Sequence, residues 1–160
     1  MMTSVELFSA SESDTRAVGR ALATCLRGGE RIGLAGELGA GKTCLVRGLA
    51  EGLGIGPEQV RSPSFPVLLP YAGGRLPLYH IDLFRLPAGD VDGLSLREYL
   101  YGSGVCAIEW YEKLDEPLRD FLAIAVEFAG PERRRMVATA HGLGYDAALQ
   151  VLRQLSSQSR

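Results

Sequence analysis

Apolar and polar positions switch between two periods along the chain, and each switch marks an element. Ser4 to Phe8 puts Val5 and Leu7 on one side of a short strand. Ser11 with Asp14 three residues on has the form of a helix N-cap with an acidic first turn. Ala17, Val18, Ala21, Leu22, Cys25 and Leu26 then recur at helical spacing up to a Gly28-Gly29 stop. Ile32 to Ala35 is a brief apolar run that ends in glycine, which suits a buried strand. From Lys42, the spacing of Leu45, Val46, Leu49, Ala50 and Leu53 predicts a second helix, closed by Gly54 and Gly56-Pro57.

Phe65–Tyr71 and Leu76–Leu83 are β-rich runs around Ala72-Gly73-Gly74-Arg75, which reads as a hairpin. Pro66, Pro70 and Pro77 place these strands at an edge or make them irregular, since proline donates nothing to a ladder. Asp90–Leu100 carries a short helical pattern, and Val105–Trp110 is another apolar strand. Phe121–Phe128 and Met136–Ala140 are late strands, joined by a turn at Gly130-Pro131 and the charged run from Glu132 to Arg135. Asp146–Leu155 predicts a last amphipathic helix, with 156–160 as a frayed tail. The pattern is α/β throughout, without repeat or linker, so residues 1–160 read as one domain.

Composition narrows the class. In 160 residues, 46% hydrophobic and 22% charged describes a globular chain and excludes disorder and coiled coils. A net charge of −2 argues against a broad non-specific nucleic-acid groove. The absence of an 18-residue apolar run or a basic-then-apolar leader predicts no membrane contact and a cytoplasmic protein. Three widely spaced cysteines and two histidines predict neither a disulfide framework nor a zinc site. Of the 17 basic residues only Lys42 and Lys113 are lysines, and Lys42 sits in the most glycine-rich loop.

That loop, Gly36-Glu37-Leu38-Gly39-Ala40-Gly41-Lys42-Thr43, satisfies G-x-x-x-x-G-K-[ST] between a strand and a helix. Its glycines let backbone N–H groups close on phosphate oxygens, and the helix start adds its dipole. Lys42 reaches the β- and γ-phosphates, and the Thr43 hydroxyl is a Mg²⁺ ligand. A nucleoside triphosphate with Mg²⁺ is therefore the expected cofactor, in a three-layer P-loop NTPase domain with a central mixed β-sheet flanked by helices. Two strand ends offer the acid that such a site needs, Asp82 after Leu78–Ile81 and Glu109 after Val105–Ile108, and spacing does not divide the work between them. His80, in an apolar strand just before Asp82, reads as an orienting or core histidine rather than a general base. The Arg133–Arg135 run reads as a solvated turn rather than a contact to tRNA phosphate.

Four segments in order resemble the TsaE (YjeE) family, the ATPase subunit of the bacterial tRNA threonylcarbamoyladenosine machinery. They are the phosphate loop, Ser62-Pro63-Ser64-Phe65, Tyr79-His80-Ile81-Asp82-Leu83-Phe84-Arg85-Leu86 and Ile108-Glu109-Trp110. The likeness spans about residues 5 to 140. It implies phosphate and Mg²⁺ binding by Lys42 and Thr43, a Walker-B-like role for Asp82, and Glu109 beside metal and water as the hydrolysis residue. It also implies that Ser64 lies in a nucleotide-sensing switch and that Trp110 borders the site and carries partner contact. The base would lie between Glu12 and Thr15 on one side and Arg133 on the other. Ser64, Phe84 and Tyr111 depart from the family's threonine, tyrosine and proline, and none removes a charge or a ligand. The implied function is a slow ATPase that drives a tRNA-modifying cycle with a threonylcarbamoyl transferase and its paralogous stabilising subunit (TsaD and TsaB type), touching tRNA at most indirectly. A small P-loop kinase acting on a metabolite and a non-hydrolysing nucleotide-sensing module are the alternatives. A kinase lid is poorly supplied, since Arg97 is the one arginine between Arg85 and Val105.

Overall fold

A computed structural model describes residues 3–62, 67–87 and 95–158. Its strands are β1 (Ser4–Ser9), β2 (Arg31–Ala35), β3 (Leu68–Tyr71), β4 (Leu78–Asp82), β5 (Val105–Glu109), β6 (Phe121–Phe128) and β7 (Arg134–His141). They form one sheet in the order β1-β7-β6-β2-β5-β4-β3. The inner strands β6, β2, β5 and β4 run parallel. Antiparallel pairs complete both sides, β4 with β3 and β6 with β7, then β7 with β1. The helices are α1 (Glu12–Ala23), α2 (Lys42–Gly52), α3 (Arg97–Leu100) and α4 (Asp146–Gln158).

The sheet alternates its side chains between two cores of unequal size. On one face Ile32, Leu34, Leu122 and Ile124 join Leu22, Leu45, Leu49 and Leu152 from α1, α2 and α4. Opposite, Ile81, Cys106 and Ile108 pack with Leu96 and Leu100 beside α3, with Trp110, Tyr111 and Leu114 against them. The fold is the expected α/β domain with a mixed sheet flanked by helices, one outer layer helical and the other mostly irregular chain. Helices α1 and α2 approach closely because Gly19 and Gly48 face each other's backbones. A Cβ at Gly48 would collide with the Arg16 carbonyl.

Helix α1 begins as its sequence prescribes. The Ser11 hydroxyl accepts the Asp14 N–H at 3.1 Å, and the Asp14 carboxylate accepts the Ala10 N–H at 3.0 Å. It ends five residues before the glycine pair, at Ala23. Thr24, Cys25 and Leu26 turn more tightly, each N–H bonding three residues back. Arg75 of the hairpin then takes the Ala23 and Leu26 carbonyls at 2.7 and 2.8 Å, so a distant residue finishes the helix.

Three further elements differ from their expected extent. Edge strand β3 contains Pro70, as the proline rule requires, whereas β4 lies between β3 and β5. Pro77 precedes β4, where only its carbonyl is used, by the Val105 N–H at 2.9 Å. Arg134 and Arg135 are strand rather than turn residues, and Arg135 bridges Glu6 and Glu127 across three strands at 2.6 and 2.9 Å. Helix α4 runs past Leu155 to Gln158, where a frayed tail was expected, and the Ser156 hydroxyl bonds the Glu6 carbonyl at 3.0 Å. Of the helix expected over Asp90–Leu100, the stretch 90–94 lies outside the described residues. No helix among the described residues is long and apolar enough to cross a membrane.

Candidate functional site

Because β2, β5 and β4 are adjacent and parallel, their carboxyl ends meet on one rim of the sheet. The register pairs Leu34 with Glu109 and Asp82 with Glu109, so the phosphate loop leaves β2 beside both acids. A cleft of about 210 Å³ there is lined by Leu38, Lys42, Thr43, Arg47, Asp82, Glu109 and Trp110 among others. This is the strand-end crevice where open α/β sheets place ligands.

The loop's geometry follows from its glycines. Gly36 and Gly41 have φ of 147° and 116°, and Gly41 directly precedes α2, turning the loop into the helix start. The Lys42 ammonium donates to the Gly36 and Glu37 carbonyls at 2.5 and 3.0 Å and sits 4.6 Å from the Trp110 ring centroid. Burial lowers its pKa, and Glu109, Asp82 and Glu112 oppose that shift. This poorly hydrated cation is held by neutral carbonyls and a ring, partners that an anionic phosphate exceeds.

The acids are tied into the frame. Both Glu109 oxygens lie within hydrogen-bonding reach of the Thr43 hydroxyl, at 3.0 and 3.1 Å. Glu109 Oε2 also meets His80 Nε2 at 2.5 Å, and the Tyr71 hydroxyl stands 3.4 Å from His80 Nδ1. Asp82 accepts from the Ser62 hydroxyl at 3.1 Å and from the Phe84 N–H at 3.0 Å. Glu109, Asp82 and His80 are all buried. The expectation of an orienting histidine is therefore met, and Phe84 contributes a backbone N–H that its missing hydroxyl does not affect.

Tyr111 is held by packing. Its ring covers Gly33 of β2, where any Cβ would strike it, and meets Phe121 edge-on at 5.4 Å. Trp110 is left-handed at φ 60°, its N–H held by the Leu34 carbonyl at 3.0 Å. Lys113 fastens the neighbouring turn through the Phe84 and Leu86 carbonyls, at 2.7 and 3.1 Å.

The residues expected around a base do not all converge. Glu12 lines both the cleft and a smaller hollow beside it with Gly39, Gly41 and Cys44. Thr15 reaches that hollow but is buried, its hydroxyl bonded to Ser9 at 2.8 Å. Arg133 points elsewhere. Its guanidinium lies over Phe8 at 4.6 Å, in a larger hollow of about 570 Å³ between β1, α1 and the end of α4. Arg134 borders the small hollow instead and donates to the Ala40 carbonyl at 2.9 Å. Arg133 precedes β7 and Arg134 opens it, and the two neighbouring arginines turn to different hollows. Glu37 enters through its carbonyl, Ala40 is buried, and Leu38 is exposed at the cleft mouth. Ser64 lies outside the described residues.

Three lining residues, Cys44, Arg47 and Ser62, escaped the sequence reading. Arg47 lies one helical turn beyond Thr43, and that i, i+4 spacing was its available signal. Its Nε donates to the Val60 carbonyl at 3.3 Å. Ser62, quoted above only as part of a motif, reaches Asp82.

The residues fit a Mg²⁺-bound nucleoside triphosphate. Thr43, Asp82 and Glu109 are hard oxygen donors, the class that Mg²⁺ selects. Among the described residues no group of three or more His, Cys, Asp or Glu forms a metal cage.

Comparisons agree with this geometry. Residues 9–137 match the family model described as TsaE, threonylcarbamoyl adenosine biosynthesis protein. The tRNA threonylcarbamoyladenosine biosynthesis protein TsaE of Bacillus subtilis is 39% identical over 140 residues, 87% of each chain. Its Treponema pallidum counterpart is 44% identical over 114 residues, 71% of this chain and 83% of that one. The crystal structure of Bacillus subtilis YdiB superposes with a TM-score of 0.77 at 30% identity, covering 100% of this chain and 99% of the other. With the family model spanning most of its length and its phosphate loop, paired acids and mixed sheet in place, the chain belongs to the TsaE family.

Proposed function

We propose that this protein binds ATP with Mg²⁺ and hydrolyses it slowly, and that hydrolysis drives the cycle of the complex that makes threonylcarbamoyladenosine (t6A37) in tRNA. The observation that carries this reading is the joining of Thr43 to Glu109 beside Lys42, at the rim where the phosphate loop leaves the sheet. A bound Mg²⁺ would neutralise charge on the phosphate oxygens, with Thr43, Asp82 and Glu109 as its protein-side donors. Lys42 exchanges its carbonyl partners for phosphate oxygens and stabilises the charge that grows on them in the transition state. Loop N–H groups and the start of α2 hold the remaining phosphate oxygens. Glu109, buried and fixed by His80, orients the attacking water, while Asp82 keeps its Ser62 and Phe84 contacts.

The partners of this reading are a threonylcarbamoyl transferase and its stabilising paralogue, engaged near the exposed Leu38 and Phe84 and the adjoining Trp110. Direct tRNA contact is not part of it, since Arg135 is already bridged by two carboxylates. A kinase is disfavoured by Arg97, which pairs with Glu116 at 3.4 Å and lines a separate hollow with Leu114 and Leu118.

The test is ATP turnover by the purified protein, alone and with its transferase complex, for wild type, Lys42→Ala and Glu109→Gln. Slow hydrolysis that the complex stimulates and both substitutions sharply reduce supports the reading. Nucleotide binding without hydrolysis in either setting overturns it and leaves the sensing module; phosphate transferred to a small acceptor leaves the kinase.

A further inference from the structure

His80 is fully buried on β4, one strand in from the sheet's edge, yet both of its ring nitrogens are engaged. On one side Nε2 lies 2.5 Å from Glu109 Oε2; on the other, Nδ1 faces the Tyr71 hydroxyl at 3.4 Å. The tautomer follows from these partners. A carboxylate accepts, so Nε2 carries the proton and Nδ1 is left as an acceptor facing the Tyr71 hydroxyl. The Tyr71 hydroxyl also meets the backbone of Arg61, within reach of its N–H and its carbonyl at 3.4 Å each. A chain of contacts thus runs from the backbone at Arg61 through Tyr71 and His80 to Glu109.

Glu109 has two kinds of partner, and they are not equivalent. Thr43 is a metal donor in the proposed reaction, so its hydroxyl proton must turn away from Glu109 when it serves a cation. His80 has no such second task, because among the described residues Nε2 is paired with Glu109 alone. We infer that His80 is the positioning residue for Glu109: it holds Oε2 while Thr43 changes partner, leaving Oε1 aimed into the cleft. Tyr71 fixes the imidazole ring, and its bond to Arg61 ties that orientation to the segment bearing Ser62, whose hydroxyl holds Asp82. Both acids are therefore referenced to the same short stretch of chain. This inference rests on the hydrolysis reading only for the task it gives Glu109.

The test uses the full chain and two readouts. One is ATP turnover. The other is the Mg²⁺ concentration needed for ADP to change the fluorescence of Trp110, the chain's single tryptophan. The variants are His80→Gln, His80→Asn, His80→Leu, Glu109→Gln and the double variant of His80→Leu with Glu109→Gln. Glutamine's amide N–H takes the place of Nε2, whereas that of asparagine falls short. Removing a partner that orients a metal-side ligand costs roughly 10–100-fold in activity or metal affinity. His80→Leu and His80→Asn are expected to lose turnover in that range with ADP affinity at saturating Mg²⁺ kept, and His80→Gln to recover most of it. In the Glu109→Gln background, His80→Leu should cost nothing further. Equal losses in both backgrounds, or equal turnover for His80→Gln and His80→Asn, would overturn the inference and leave His80 a core residue. If the wild type hydrolyses nothing, the hydrolysis reading fails separately and Mg²⁺ decides. A higher requirement in His80→Leu, absent when Glu109 is already glutamine, supports the positioning role; an unchanged requirement removes it. If His80→Leu does not fold, the glutamine–asparagine pair decides on either readout.

Discussion

The two ends of the cleft differ in how they are built. At the phosphate end, the strand register brings the charged residues together: Lys42 and Thr43 after β2, Glu109 at the end of β5 and Asp82 at the end of β4. At the α1 end, Glu12, Thr15 and Arg133 come from a helix start and the loop before β7, and only Glu12 faces the cleft with its side chain exposed. Thr15 is spent on Ser9 and Arg133 on Phe8. The difference teaches that chemistry carried by a register survives changes in surrounding residues, whereas chemistry carried by a turn depends on which side each residue points.

Substitutions can sharpen this contrast. The largest effect is expected from Lys42→Ala, which removes the charged donor: ADP affinity should fall about 100-fold or more, read by titration of Trp110 fluorescence. Glu109→Gln should reduce single-turnover hydrolysis by about 100-fold while ADP affinity stays within a few-fold, separating water orientation from binding. At the other end, Arg134→Ala should weaken nucleotide binding by about 3- to 10-fold, since it frees the Ala40 carbonyl and opens the hollow beside the loop. Arg133→Ala should leave it unchanged. An equal loss for both arginines would break the comparison. The smallest effect on function belongs to Thr15→Val. It strands the buried Ser9 hydroxyl and should lower stability by about 1–2 kcal/mol in denaturant unfolding, with nucleotide affinity intact. Weakened binding there, in protein that remains folded, would put Thr15 back in the site.

Most elements were legible because their local physics agrees with their tertiary use. Ser11 and Asp14 cap α1 as their spacing requires, and β3 is an edge strand as Pro70 requires. The failures occur where a partner comes from far along the chain. Helix α1 stops at Ala23 rather than at the glycines because Arg75 takes its final carbonyls. Helix α4 outlasts its pattern because Ser156 finds the Glu6 carbonyl. Arg135 leaves the expected turn for β7, where Glu6 and Glu127 stand across from it. In the site, Arg47 carried a periodic signal and went unread, whereas nothing in one sequence separates Arg133 from Arg134.

The sequence by itself determined the phosphate loop and both acidic strand ends, since these depend on residue type and short spacing: glycines permit the turn, and Lys42 and Thr43 follow directly on the helix. Only the tertiary structure decided which acid meets Thr43, that His80 pairs with it, and that Tyr111 packs on Gly33. Those outcomes depend on parallel pairing of strands distant in sequence. A single residue of slip in that pairing would turn Glu109 and His80 to the opposite face of the sheet.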